Sequence, residues 1–187
     1  MRKTKMSRVD DLFLLLENRG GGRYGLSDVS QLEHALQSAA LAAEAGREGT
    51  LVLAALFHDI GHLVPEADVA LADRGIDDRH ETVGAGMLED VFGPAVADPV
   101  RLHVRAKRFL CARESGYALK LSEDSRRSLA LQGGAMTAEE AAAFEITPGA
   151  AAAVALRRID DRAKVPGYRV PPLAAYRDLA FGLRLGA

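Results

Sequence analysis

The sequence contains no tryptophan, a single cysteine and few aromatic residues. Phenylalanine, tryptophan and tyrosine together make up 5% of its 187 residues, so aliphatic side chains and alanine must form the core. Cys111, the only cysteine, excludes an internal disulfide. An unpaired thiol fits a reducing compartment, and we therefore expect a cytoplasmic protein.

Long apolar runs and a net charge of one sign are missing as well. No run reaches the roughly 18 residues that a membrane-spanning helix needs. Asp10 and Asp11 interrupt the basic N-terminus before any apolar stretch, which argues against a signal peptide. The formal net charge is −2, so no global basic field would attract nucleic acid or an anionic membrane. We expect neither as a partner.

Helical periodicity recurs along the chain, and segments that alternate with period two are few. β-Branched clusters are also missing, which favours an all-α fold. There is no internal repeat, low-complexity tail or linker that would divide the chain. The sequence therefore predicts one helical domain over residues 1–187.

Capping residues predict where helices begin. Thr50 is expected to cap the helix whose apolar body is formed by residues 51–57, and Pro99 is expected to be the first residue of a helix that runs to Cys111. Capping boxes are expected at Ser30 with Glu33 and at Thr137 with Glu140.

Histidines lie beside apolar helical segments rather than in polar loops. A lone histidine there is more often a hydrogen-bonded core residue than a metal ligand. His58, however, is followed directly by Asp59 at the end of an apolar helix, where burying both groups is costly without a cation. The whole pattern comprises His34, His58-Asp59, His80, His103 and the Asp160-Asp161 pair, and it favours a metal site.

Imidazoles and carboxylates without thiolate suit iron, manganese, cobalt or zinc, and they argue against a closed structural zinc site. Several cations also lie near these residues in sequence: His62, Lys107, Arg157, Arg158 and Lys164. Cations beside metal ions repel them unless an anion lies between, and a phosphonate or phosphate is the natural anion. Helical spacing favours Arg157, three residues before Asp160, over Arg158.

The same residues resemble the signature of the HD-domain superfamily, a helical fold that binds metals. The resemblance implies a helical bundle with two metals held by His34, His58, Asp59, His80, His103 and Asp160, with Asp59 as the bridge. Related myo-inositol oxygenases carry the liganding aspartate four residues before a lysine. Lys164 therefore points to Asp160 rather than Asp161.

Within the superfamily the chain is most similar to the PhnZ-type phosphonate oxygenases. The stretches that carry this likeness are VSQLEHALQ (29–37), HDIGH (58–62), RLHVRAKR (101–108), LQGG (131–134) and LRRIDDRAK (156–164). It implies an Fe(II)/Fe(III) pair and O2 as co-substrate. The implied reaction oxidatively cleaves the C–P bond of a 1-hydroxyalkylphosphonate into phosphate and a carboxylic acid. The substrate would resemble 2-amino-1-hydroxyethylphosphonate, its trimethylammonio analogue or hydroxymethylphosphonate.

The resemblance also implies residue roles. Tyr24 would cap the iron site until substrate displaces it, and both Tyr24 and His62 would act in catalysis. Ser27 replaces a glutamate that contacts the amine of amino substrates, and Asp28 stands beside it. The implied substrate contacts are Tyr24, Ser27, Asp28, His62, Lys107, Ser125, Gln132, Arg158 and Lys164; here the likeness favours Arg158 over Arg157.

Two alternatives use the same residues. A metal-dependent HD phosphohydrolase would activate water against a phosphate ester or nucleotide, and oxygen dependence separates it from the oxygenase. A ligand sensor without catalysis fits less well, because the full set of ligands is present.

Overall fold

The computed structural model describes residues 9–25, 27–64 and 79–186. These ranges contain α-helices and two short 3-10 helices, Ile60–Leu63 and Leu173–Tyr176, and they contain no strand beyond an isolated bridge between Arg23 and Ser30. The α-helices are α1 (Val9–Arg19), α2 (Gln31–Glu44), α3 (Gly49–Phe57), α4 (His80–Phe92), α5 (Pro94–Arg113), α6 (Tyr117–Lys120), α7 (Glu123–Leu131), α8 (Ala138–Glu145), α9 (Ala150–Asp160) and α10 (Arg177–Leu183). The all-α prediction is confirmed.

The 20-residue helix α5 is the centre of the packing. It contacts α3, α4, α8 and α9, and α2 packs in turn on α3 and α9. The main core is aliphatic and alanine-rich, as the low aromatic content predicts, with Phe13 and Phe57 fully buried within it. Helix α3 is apolar on all sides because neighbours surround it.

The capping residues give a mixed result. The boxes at Ser30 with Glu33 and at Thr137 with Glu140 are both formed. The prediction for Thr50 is wrong, since α3 begins at Gly49, Thr50 lies inside it, and Glu48 is at its N-cap without a side-chain cap. The prediction for Pro99 is also wrong. Helix α5 begins at Pro94, where the missing N–H needs no partner, and Pro99 lies buried inside the helix.

Gly61 allows the 3-10 helix Ile60–Leu63 to lie directly against the start of α4. A Cβ atom on Gly61 would lie 2.1 Å from the carbonyl oxygen of His80, so only glycine fits. This close approach brings the first residue of α4 beside Asp59. In the described ranges, no helix combines the length and apolar character that crossing a bilayer requires.

Candidate metal centre

Five helical segments converge on one buried cluster of histidines and aspartates. His34 comes from α2, His80 opens α4, and His103 lies in the middle of α5. His58 and Asp59 follow α3 directly, and Asp160 is the last residue of α9. All six side chains are buried, so helices that are distant in sequence bring the predicted ligands together.

The first ligand group consists of His34, His58, Asp59 and Asp160. The Nε2 atoms of His34 and His58 lie 3.1 Å apart. Oδ1 of Asp160 is 3.2 Å from Nε2 of His34, and Oδ2 of Asp59 is 3.4 Å from Nε2 of His58. Metal–ligand bonds of about 2.1 Å at tetrahedral or octahedral angles give ligand separations of roughly 3.0–3.4 Å. The geometry of this group therefore fits a metal ion.

The second ligand group consists of His80, His103 and the other oxygen of Asp59. The Nε2 atoms of the two histidines are 3.4 Å apart. Oδ1 of Asp59 lies 3.5 Å from Nε2 of His80 and 3.7 Å from Nε2 of His103. Asp59 thus faces one group with each carboxylate oxygen, as a bridging ligand does. The half-buried ring of His62 stacks on His80 with centroids 3.9 Å apart, and one of its ring nitrogens lies within 4.8 Å of a carboxylate oxygen of Asp59 and of a ring nitrogen of His80.

Backbone carbonyls fix the orientation of three of these imidazoles. Nδ1 of His34 donates to the carbonyl oxygen of Ala163 at 2.7 Å. Nδ1 of His58 donates to Ala55 at 2.8 Å, and Nδ1 of His103 donates to Val100 at 2.7 Å. Because a carbonyl can only accept, the proton of each neutral ring is on Nδ1, and the Nε2 lone pair faces the cluster.

The charges of the cluster also fit a cation. Burial acts to raise the pKa of Asp59, but His58, His62 and His80 outweigh it and hold that pKa well below its usual range. Oδ2 of Asp59 is buried and accepts no hydrogen bond from the described residues. Burial lowers the pKa of His103 to about 3. His103 thus offers a neutral imidazole and Asp59 an ionised carboxylate, and both are donors that suit a metal ion.

Burial acts to lower the pKa of His58, yet Asp59 and Asp160 raise it above its usual value, whereas burial lowers the pKa of His34. Without a metal, the Nε2 lone pairs of His34 and His58 would face and repel each other. One proton between the two rings would relieve this repulsion. A metal ion would take the place of that proton, so metal affinity is expected to fall at low pH.

Buried cations border the cluster on one side. Arg157 is 4% exposed, and its Nη1 donates to Oδ2 of Asp160 at 2.6 Å. Its Nη2 donates to Ser125 Oγ at 3.2 Å, while its buried Nε has no acceptor among the described residues. Lys107 is 2% exposed and donates to Ser128 Oγ at 2.7 Å. Guanidinium and ammonium donors of this kind bind anions, and Arg157 pairs directly with the predicted metal ligand Asp160.

Tyr24 covers the first ligand group. Its ring stacks on His34 with centroids 4.1 Å apart, and Nζ of Lys164 lies 5.4 Å from the centre of the tyrosine ring. Lys164 also pairs with Asp160 at 3.1 Å. Burial and then the carboxylates of Asp59 and Asp160 raise the pKa of Tyr24 well above its usual value, so its hydroxyl stays protonated.

The remaining predicted contacts lie further out. Ser27 is half-buried, and Asp28 is exposed and pairs with Arg23 at 3.1 Å. Gln132 is half-buried at the C-terminal end of α7.

The geometry corrects the expectation for Arg158. Its side chain is 49% exposed and pairs with Glu114 on the surface. Successive residues of a helix point about 100° apart, so only one of the two arginines can share the face of Asp160, and that one is Arg157. Sequence reasoning also missed Tyr117, which donates a hydrogen bond to Asp161. No motif marks this tyrosine, because it follows a turn far from the ligands in sequence.

Comparison with known proteins shows the family of this chain. The HD-domain family matches residues 32–141. A hydroxymethylphosphonate dioxygenase of Gimesia maris is 48% identical over 177 residues, covering 94% of this chain and 88% of that protein. A 1-hydroxy-2-(trimethylamino)ethylphosphonate dioxygenase of Leisingera caerulea, described as glycine-betaine-forming, is 40% identical over 157 residues, covering 84% of this chain and 80% of that protein. An uncharacterised protein of Acanthamoeba polyphaga mimivirus is 34% identical over 93% of this chain and 80% of its own length. The chain therefore belongs to the HD-domain family, within its PhnZ-type phosphonate oxygenases.

Proposed function

We propose that this protein is an O2-dependent oxygenase that cleaves the C–P bond of a small 1-hydroxyalkylphosphonate. The observation that carries the proposal is the anion site of Arg157 and Lys107 directly beside two metal-ligand groups joined by Asp59. The proposed metal ligands are His34, His58, Asp59, His80, His103 and Asp160. The proposed cofactor is an Fe(II)/Fe(III) pair, which would activate oxygen and exchange electrons with the substrate when bound.

The reaction balances without any further reductant. A 1-hydroxyalkylphosphonic acid and one O2 contain the same atoms as one carboxylic acid and one phosphoric acid. One C–H bond and the C–P bond of the substrate and the O–O bond of oxygen are broken, and new C–O, P–O and O–H bonds are formed. Oxygen is the only oxidant, so an assay with substrate, oxygen and iron-loaded protein is complete.

The chain's own residues would bind and shield the substrate. Arg157 and Lys107 would hold the phosphonate oxygens, with Ser125 and Ser128 beside them. His62, stacked on His80, would donate to the same anion from the other side of the cluster. Tyr24, which stacks on His34 with its hydroxyl protonated, would cover the site and limit access of water.

The loop around Tyr24 favours a substrate without a cationic substituent. Ser27 carries no charge, and Asp28 is committed to Arg23 on the surface. Lys164 lies close to the Tyr24 ring and would repel a quaternary ammonium group there. We therefore propose hydroxymethylphosphonate as the preferred substrate, in line with the name of the Gimesia maris relative.

The test is to incubate iron-loaded protein with hydroxymethylphosphonate and to measure oxygen uptake, phosphate and formate. Equal amounts of all three support the proposal, and the trimethylammonio substrate should be turned over more slowly. Phosphate release from a phosphate ester without oxygen would favour the hydrolase instead. Electron paramagnetic resonance of the mildly reduced protein should show a spin-coupled iron pair whose signal changes on addition of substrate.

A further inference from the structure

Two consecutive carboxylates flank Arg157 at the end of α9, and they face different parts of the molecule. Asp160 accepts from Nη1 of Arg157 through Oδ2 and turns Oδ1 toward His34, 3.2 Å away. Asp161 accepts from Nη2 of Arg157 and, through its other oxygen, from the hydroxyl of Tyr117. Arg157 therefore joins a carboxylate of the metal centre to one held outside it.

Tyr117 is well placed to hold Asp161 still. Its side chain is 7% exposed and belongs to a small apolar cluster with Leu110 and Leu121. Burial raises its pKa, so the hydroxyl keeps its proton and remains a donor to Asp161. Asp161 is thus bound on one oxygen by Tyr117 and on the other by Arg157, which leaves its carboxylate little freedom to rotate.

The guanidinium of Arg157 has donors left over in this arrangement. Nη1 and Nη2 are engaged by Asp160, Asp161 and Ser125, whereas Nε is buried without an acceptor among the described residues. A buried N–H without an acceptor costs free energy unless a ligand supplies one. An anionic oxygen is the acceptor that suits a guanidinium best.

We propose that Asp161, clamped by Tyr117, is a positioning residue that holds Arg157 so that its free donor faces the substrate anion. The inference rests on the proposed function, in which Asp160 is a metal ligand. Metal ions draw on the negative charge of Asp160, and Asp161 then becomes the carboxylate that balances Arg157. Without Asp161, Arg157 would have only the metal ligand Asp160 as a carboxylate partner.

The main test compares Asp161→Asn with Glu114→Gln. Glu114 gives Arg158 the same kind of carboxylate partner on the surface, so the control removes an equivalent charge outside the site. For Asp161→Asn we expect KM for hydroxymethylphosphonate to rise about tenfold to a hundredfold, the range for a hydrogen bond to a charged group. We expect kcat and iron content to change little. Glu114→Gln should behave like the unaltered protein.

Tyr117→Phe provides a second, milder variant that keeps the ring in its apolar cluster. It should raise KM in the same direction by a smaller factor, with kcat preserved. A KM equal to that of the unaltered protein in both Asp161→Asn and Tyr117→Phe would overturn the inference.

A double-mutant cycle tests whether Asp161 acts through Arg157. In an Arg157→Lys background, the further change Asp161→Asn should have little effect, because the guanidinium that Asp161 positions is no longer present. Full additivity of the two substitutions would overturn the inference.

Binding of inorganic phosphate separates this inference from the proposed function. Calorimetry on metal-loaded protein needs no turnover, and Asp161→Asn should weaken phosphate binding by the same factor as it raises KM. Unchanged phosphate affinity, or loss of metal from Asp161→Asn, would overturn the positioning role. If the unaltered protein failed to oxidise any phosphonate, the proposed reaction would be wrong, and the phosphate titration would still decide the role of Asp161.

Discussion

The two ligand groups share Asp59 but are held in different ways. In the first group, His34 and His58 are fully buried and backbone carbonyls fix both rings. In the second, His80 stands at the first residue of α4 with 9% of its surface exposed. The first group offers four side chains and the second offers three. A position with four ligands should retain its metal longer, whereas one with three leaves more room for oxygen or substrate.

The largest expected effect comes from removing the charge that both groups share. In Asp59→Asn the side chain keeps its size, but neither group has its bridging carboxylate, so both metals should be lost and turnover should be abolished. Metal analysis by mass spectrometry and an oxygen-uptake assay would measure this. Asp98→Asn, a half-buried carboxylate paired with Arg101 outside the cluster, is the control and should keep both metals. Two tightly bound metals in Asp59→Asn would contradict the bridging role.

Breaking one group at a time tests whether the groups differ. His80→Ala should lose the second metal and retain the first, leaving about one metal per chain. His34→Ala should disturb the better-held position and retain less metal overall. Both variants should lack oxygen-dependent turnover, because the reaction needs both groups. Full activity in His80→Ala would rule out the two-metal arrangement.

The close approach at Gly61 offers a way to shift the second group without changing a ligand. In Gly61→Ala the new Cβ would clash with the carbonyl of His80, so we expect a loss of about 1–3 kcal/mol in the free energy of unfolding and weaker metal binding at the second group. Thermal and denaturant unfolding would measure the first effect. Gly86→Ala, in α4 with open space around the new Cβ, is the matched control. It should stabilise the protein by about 0.5–1 kcal/mol, and equal behaviour of the two variants would contradict the role of Gly61.

The smallest expected effect concerns pH. Burial, and then the charge of Arg157, lowers the pKa of Lys107 to about 7. Its amine is charged below that pH and neutral above it, so phosphonate binding should weaken as pH rises. In the free enzyme kcat/KM should fall by up to about tenfold per pH unit above the pKa. Lys107→Arg keeps the charge and should remove this fall, whereas an unchanged pH profile in that variant would assign the titration to another group.

The sequence predicted the helical class and both capping boxes, because periodicity and capping boxes are local signals. It failed at Thr50 and Pro99, where an earlier residue, Glu48 or Pro94, supplies the helix start. The single-domain organisation over residues 1–187 and the cytoplasmic location stay predictions, as do the roles of the individual site residues.

The sequence alone determined that this chain carries imidazoles and carboxylates suited to a metal centre. It also determined that basic side chains suited to an anion lie near them in the chain. Only the tertiary structure decided which atoms meet. Asp59 faces both ligand groups because α2, α3, α4, α5 and α9 converge around it. Arg157 rather than Arg158 borders the site because successive helical residues point about 100° apart, which leaves Arg158 on the surface beside Glu114. Tyr117 joins the network through a contact 44 residues away in sequence, a distance that no local pattern can span.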